Sequence, residues 1–353
     1  MAYTTIDDPS AYFHTQLYTG DGSSDNAITN DANSGDFKPD WLWIKSRSYA
    51  DLHNVFDSSR GRDKRIFPNL TNAEGDSSPD NFLKSFDTDG FTTGNDAGMN
   101  TNGGTLVAWQ WKANGGTTAS NTDGSITSTV QANTTAGFSI VTYTGTGSNA
   151  TIGHGLGVAP SWVLCKDRDG TGVWVTWQNT LAGNQALELQ STNGVADEPT
   201  SWNSTVPSST VFSVGTRGGT NASSNNFVAY CFAEKQGFSK FGSYTGNGNA
   251  DGTFVYTGFK PAWIMTKRID ANNEAWNIQD NKRSPFNVQD NFIQIDSDAE
   301  GSAGGTGIWD ALSNGFKLRQ NLSSTNNSGS NYIYMAFAES PFVSSKGVPT
   351  TAR

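Results

Sequence analysis

Three landmarks recur in the same order three times along the 353 residues. Tyr-Thr-Gly-x-Gly begins at Tyr18, Tyr143 and Tyr244. An apolar-x-Pro-x-Trp segment follows each copy, with Pro39 and Trp41, Pro160 and Trp162, then Pro261 and Trp263, and a lysine stands four residues after each Trp at Lys45, Lys166 and Lys267. A run of alternating large and small residues closes each unit at Trp111, Phe232 or Phe337. From proline to closing aromatic the separations are 72, 72 and 76 residues. Ordered landmarks at near-constant spacing identify tandem structural units, here about 100 residues each, the size of one sandwich domain.

The landmarks also specify strands. Val107, Trp109 and Trp111 alternate with Ala108 and Gln110, so one face is bulky and the other small. The second copy gives Val228, Tyr230 and Phe232, and the third Ile333, Met335 and Phe337. The strand after each proline is apolar on both faces, which points to a central position with the proline fixing its start. Asp89-Gly90, Asn193-Gly194 and Asn314-Gly315 punctuate short β-forming runs in between. Only residues 69–83 offer a helical turn. The expected fold is all-β: three tandem antiparallel β-sandwich repeats, jelly-roll or lectin-like. The divisions are an amino-terminal arm (1–16), a first repeat (17–112), a Gly/Thr/Ser/Asn linker (113–137), a second repeat (138–236), a third repeat (237–343) and a tail (344–353). The linker composition implies that the first repeat is set off, while residues 234–238 join the second and third rigidly.

Charge narrows the function classes. With Lys and Arg totalling 23 against 33 Asp and Glu, the net charge is −10. Nucleic acid is therefore not an expected partner, because phosphate binding is driven by Lys and Arg. Charged residues are only 16% of the chain, which excludes coiled coils and charge-rich disordered tails. No apolar run approaches the roughly 20 residues of a membrane span, and no membrane insertion or secretory signal is expected.

Candidate chemistry is sparse. His14, His53 and His154 are scattered, and none accompanies a nucleophile motif. His154, in Gly-His-Gly-Leu-Gly, reads as a turn residue or, less simply, a catalytic one. Asp87 with Asp89, Asp167 with Asp169, and Asp296 with Asp298 have the spacing that opens a calcium loop, but none is followed by the glutamate of an EF-hand. Asx turns account for them more simply, and calcium stays open. Cys165 and Cys231 fall on two strands of one unit, as buried thiols or as a bridge. No cofactor and no catalytic or metal-binding residue is assigned. Of the eleven tryptophans, Trp174, Trp177, Trp202, Trp276 and Trp309 lie off the landmarks, either as exposed surface-contact aromatics or as plugs of each sandwich's second layer.

The opening residues 1–13 with Tyr18-Thr19-Gly20, the run 37–45, the run 107–113, and residues 137–145 continuing through 153–160 resemble the repeat-containing tail-fibre and virion structural proteins of marine tailed bacteriophages, of the cyanophage and pelagiphage type. The resemblance extends to about Phe342 and carries no catalytic residues. It implies a non-enzymatic virion component on the tail or outer surface of the particle. Such a protein would be a tail fibre or appendage in host attachment, docked through its arm to other virion proteins, assembled as a homotrimer and meeting a host-surface glycan or receptor. The alternatives are a capsid decoration or head-fibre protein and a glycan-binding or depolymerising tail protein.

Overall fold

Alternating large and small side chains make strands, and strands apolar on both faces make sheets covered on both sides. The computed structural model describes residues 2–31, 37–76, 81–299, 302–303 and 308–350. Its first nine strands are β1 (Phe13–Thr19), β2 (Asn26–Ile28), β3 (Trp41–Ser46), β4 (Asn54–Asp57), β5 (Gly61–Ile66), β6 (Gly75–Asp76), β7 (Leu83–Asp87), β8 (Gly90–Thr93) and β9 (Thr105–Trp111). They form a six-stranded sheet in the order β1-β9-β3-β4-β5-β6 and a three-stranded sheet in the order β2-β8-β7, with every pairing antiparallel.

The rest of the chain repeats this connectivity. Next come β10 (Ala119–Asn121), β11 (Ser128–Asn133), β12 (Phe138–Thr144), β13 (Ala150–Gly153), β14 (Trp162–Asp167), β15 (Val175–Gln178), β16 (Gln185–Glu188), β17 (Ala196–Asp197), β18 (Val211–Val214) and β19 (Asn226–Phe232). Here the large sheet runs β10-β11-β12-β19-β14-β15-β16-β17, and β13 pairs with β18. The last strands are β20 (Ser239–Thr245), β21 (Phe254–Tyr256), β22 (Phe259–Arg268), β23 (Asn277–Asp280), β24 (Asn291–Gln294), β25 (Ser302–Ala303), β26 (Trp309–Leu312), β27 (Gly315–Leu318) and β28 (Asn331–Pro341). Their sheets run β20-β28-β22-β23-β24-β25 and β21-β27-β26. Both landmark strands of each unit are central, as their patterns require. Pro39 and Pro160 precede their strands, whereas Pro261 lies inside β22 at a β-bulge, another position that tolerates a missing N–H.

Each large sheet faces two cores. In the first unit Leu42, Ile44, Leu106 and Ala108 pack with Ile28, Leu83 and Phe91 of the small sheet. The opposite, bulky faces of all three large sheets meet in one cluster containing Trp41, Trp109 and Trp111, Trp162, Tyr230 and Phe232, and Trp263, Met335 and Phe337. Rings interlock across every seam. Trp41 lies 4.7 Å from Tyr230, Trp111 lies 5.6 Å from Trp263, and Phe232 lies 5.9 Å from Phe337. Aromatic pairs at such separations add about 0.5–1.5 kcal/mol beyond their area burial. The indole N–H groups of Trp41, Trp162 and Trp263 have no hydrogen-bond partner among the described residues, so packing alone holds them.

Several expectations are corrected. The first unit is not set off, because its bulky face lies in the shared core. The segment 113–137 is no free linker: Ala119–Asn121 and Ser128–Asn133 are strands of the second large sheet, and the Gly115 and Gly116 N–H groups donate to Asp40 and Gln131. The amino-terminal segment 1–16 is not a free arm. Phe13 opens β1, Thr4 donates to the Gln236 carbonyl, Tyr3 to the Gly258 carbonyl, and Asp7 accepts from the Ser345 N–H of the tail. Over residues 69–83 the described part holds the short strand Gly75–Asp76 and no helix, with 77–80 outside the described residues. The α-helices are single turns at α1 (Ala97–Asn100), α2 (Pro199–Trp202), α3 (Gly218–Asn221) and α4 (Ser323–Asn326).

Candidate interaction surfaces

Several fully buried polar side chains join one unit to the next, and their contacts run in a cycle. Lys45, Lys166 and Lys267 are all fully buried. Lys45 Nζ donates to Asp298 O in the third unit (3.2 Å), Lys166 to Thr71 O in the first (3.2 Å), and Lys267 to Thr192 O in the second (3.0 Å). Each adds at least one carbonyl of its own unit, Ser46 for Lys45, Asp167 and Gly172 for Lys166, and Glu274 for Lys267. Burial lowers the ammonium pKa of Lys166 and of Lys267 to about 8.

A second cycle lies just before β4, β15 and β23. His53 holds to Gln294 O (3.1 Å), Trp174 Nε1 donates to Phe67 O (2.8 Å), and Trp276 Nε1 donates to Glu188 O (3.1 Å). The indole N–H of Trp43 donates to His53 Nδ1 (2.9 Å), so Nε2 carries the proton that meets Gln294. Burial and nearby Lys45 lower the pKa of His53 to about 3, leaving it neutral.

A third cycle carries charge at two seams and none at the other, where the Gln178 amide donates to Gly242 O (3.4 Å). Tyr230 Oη donates to Asp57 Oδ2 (2.7 Å) and accepts from Arg60 Nη2 (3.2 Å), and Arg60 also pairs with Asp57 and Glu74. Trp109 Nε1 donates to Asp280 Oδ2 (3.0 Å), which pairs with Arg283 at 2.6 Å. Asp57, Gln178 and Asp280 stand opposite Trp41, Trp162 and Trp263 in register. In the second unit, then, Gln178 and Leu181 replace the Asp-Arg pair, and the third unit's Met335 replaces the donor ring. Buried charge is present where a donor can satisfy it and absent where none exists.

The Tyr-Thr-Gly-x-Gly motif is explained by three asparagines that the sequence reading missed. The hydroxyls of Tyr18, Tyr143 and Tyr244 donate to the carbonyls of Met99, Thr220 and Thr325. The following residues, Asn100, Asn221 and Asn326, are fully buried, and each side-chain oxygen accepts from the motif's fourth residue, 79, 75 and 79 positions earlier. The last glycine has φ near +70° in all three copies, and a Cβ on the first would sit 2.2–2.3 Å from a carbonyl oxygen. That near-constant separation was the available signal.

The remaining candidates are internal as well. Trp174 and Trp276 are fully buried, and Trp177, Trp202 and Trp309 are 4%, 2% and 2% exposed, so none of the five is a surface-contact aromatic. Trp309 packs against Phe316 beside the third small sheet, while Trp177 joins the shared core. His154 accepts the Leu156 N–H at Nδ1 and meets Ser208 O at Nε2, as a turn residue does. Asp167 caps its own turn through the Asp169 and Gly170 N–H groups. Cys165 and Cys231 are buried free thiols, and burial pushes Cys165 up to about 12. Among the described residues no group of three or more His, Cys, Asp or Glu side chains is placed to hold a metal ion.

Two of the open surfaces among the described residues bear on function. The first is a cleft of about 410 Å3 between the first and third units, lined by Asp8, Ser10, His14, Asp31, Lys282 and Glu339 among others. His14 Nε2 lies 2.9 Å from Asp31, which also holds Lys282, while Glu339 takes Lys260 and the Asn281 amide. Burial lowers the His14 pKa despite Asp31, so the lining is a set of paired charges around a neutral imidazole, suited to a polar ligand. The matching place between the first and second units is filled by Gln131 of β11, whose amide bonds Ser58, Ser59, Asn114 and Gly116. The second surface is the outer face of β21, where Phe254 and Tyr256 are 44% and 52% exposed on either side of buried Val255.

A family model described as a domain of unknown function, DUF7483, matches residues 8–341. The chain belongs to the DUF7483 family. The matched span runs from just before β1 to the end of β28, so one DUF7483 domain comprises all six sheets and the core they share. No curated protein matches the chain.

Proposed function

We propose that this DUF7483 protein is a non-enzymatic structural component of a tailed-phage virion. It would be a tail fibre or appendage in host-surface attachment, built from three tandem jelly-roll-like β-sandwich repeats. The observation that carries the reading is how buried polar groups are used: Lys45, Lys166, Lys267, His53, the Asp-Arg pairs, Trp174 and Trp276 join one unit to the next. A side chain committed to such a joint is not available as an acid, base or nucleophile. The polar, low-charge surface and the resemblance of the landmark segments to marine phage proteins support the same role. Its partners are then other virion proteins, with a host-surface glycan or receptor as the distal contact and the paired-charge cleft as a place for a polar ligand. The aromatic core closes within one chain, so the proposal needs no homotrimer to bury it.

Immunogold labelling of intact particles with antibody against the purified protein tests the assignment. Label on the tail together with blocked adsorption to host cells is the expected result. Label confined to the capsid would favour a decoration protein instead, and unlabelled particles would overturn the virion reading.

A further inference from the structure

The open edge of β21 has an occupied counterpart within the same chain. Val255 pairs with Phe316 as Ile152 pairs with Phe212, and all four are buried, so β21 and β13 are equivalent edge strands. In the second unit the incoming chain runs along that edge. Ile126 forms a parallel bridge to Ile152, its N–H donating to Thr151 O (3.1 Å). Thr151 N donates to Ser125 Oγ (2.9 Å), and Ser128 Oγ to Gly153 O (2.8 Å). The same pass covers the outer face, where a Cβ on Gly153 would lie 1.6 Å from Asn121 Oδ1.

Among the described residues the third unit has the edge without the pass. Residues 234–238, between β19 and β20, are too few to repeat it. Leu318 N donates to Thr253 O and Thr257 N to Asn314 O, so residues 253, 255 and 257 face β27. Antiparallel alternation then turns the N–H and C=O groups of Phe254 and Tyr256 outward, as those of Thr151 turn toward Ser125 and Ile126. Where the second unit has Thr151 and Gly153 under a covering segment, the third has two exposed aromatic side chains. Unpaired strand edges with apolar side chains are templates for another strand.

We propose that β21 is a strand-acceptor site. It takes an extended segment of a partner polypeptide, parallel to β21, with a β-branched residue placed beside Val255 as Ile126 is beside Ile152. Main-chain hydrogen bonds to Phe254 and Tyr256 supply the pairing, and the two rings cover apolar side chains on the outer face. This inference does not depend on the virion assignment.

The test presents the chain's own covering segment to the vacant edge. A copy of residues 123–130 is joined to the amino terminus of the full protein by a flexible Gly/Ser linker, because Tyr3 already reaches Gly258 and Tyr256 beside that edge. Tethering raises the effective concentration to about the millimolar range. Amide hydrogen exchange is then followed at Phe254 and Tyr256. Both amides are expected to exchange freely in the unextended protein and to slow by about tenfold or more with the extension. Slowing should vanish when the copied Ile is replaced by Pro, a change that leaves the folded body untouched, and should be weakened at Tyr256 in Phe254→Pro, which removes one of the two outward N–H donors. Unchanged exchange on extension, or slowing that survives the proline-bearing extension, would overturn the proposal. So would protection in the unextended protein that grows with its concentration, since copies would then be pairing with each other.

Discussion

Loss of the Tyr230 hydroxyl should weaken the seam between the first two units by more than one neutral hydrogen bond. That hydroxyl stands 2.7 Å from Asp57 Oδ2 and 3.2 Å from Arg60 Nη2, and the side chains of Asp57 and Arg60 are fully buried. A hydrogen bond to a charged partner contributes about 1.5–3 kcal/mol. In Tyr230→Phe the ring still fills its place against Trp41, so about 2–3 kcal/mol is expected. Asp57→Ala removes the anion and leaves Arg60 with Glu74 and the Lys64 carbonyl, which should cost about 3–5 kcal/mol. Because the two changes share one network, the double variant should cost less than their sum by about 1–2 kcal/mol. Guanidinium unfolding followed by tryptophan fluorescence measures this directly, since Trp41 and Trp111 lie in the affected core. A Tyr230→Phe effect below about 0.5 kcal/mol, or simple additivity within that margin, would refute the argument. The third unit supplies the control: Met335→Leu meets a seam without buried charge and should cost less than about 1.5 kcal/mol.

Other outcomes follow from the same contacts. Asn221→Ala strips three hydrogen bonds, from the Thr146 N–H and to the Ser148 and Gly215 carbonyls, and should lower unfolding free energy by about 2–4 kcal/mol, with faster amide exchange at Thr146 and Gly147. The pKa of Lys166 and of Lys267 is lower folded than unfolded, so the unfolded chain holds more protons between about pH 8 and 10.5 and stability should rise with pH across that window. Cys165 acts oppositely: its pKa is higher folded than unfolded, so its contribution falls once the unfolded thiol ionises above about pH 9. Between about pH 8 and 9, below the ionisation of the unfolded thiol, melting temperature should therefore climb, and a steady fall over that range would contradict the lysine assignment. Neither thiol should react with an aromatic disulfide reagent until the protein unfolds, because both are buried and the thiolate is the reactive form.

The landmark strands were legible because proline, tryptophan and period-two alternation each have a local meaning. Trp41, Trp162 and Trp263 begin or enter central strands for the reason their flanking residues give. Which core the bulky faces serve was not legible, since an apolar face reads the same whether it meets its own small sheet or two neighbouring units. Residues 126–130 alternate as a strand does, whereas the strand at Ala119–Asn121 is hidden in a linker-like composition for a different reason. It pairs through the backbone at a sheet edge, and such a strand can be Ser-, Thr- and Asn-rich without losing a hydrogen bond. Trp174 and Trp276 do not show as a repeated landmark because their equivalent in the first unit is His53, which makes the same contact with a different ring. The cleft beside His14 lies along the free side of β1, where the second unit has added strands, and neither side shows that alone.

The shared aromatic core joins three parts of one polypeptide, so its assembly is unimolecular. A ring of separate subunits comes apart on dilution, whereas this one keeps its seams at any concentration. Identical subunits must also solve every seam with the same residues, and one substitution strikes all of them together. Here a change at Met335 alters one contact and leaves the Tyr230 and Trp109 seams as they were. The chain is therefore free to specialise one unit, as the exposed aromatic edge of the third shows, without renegotiating the joints of the other two.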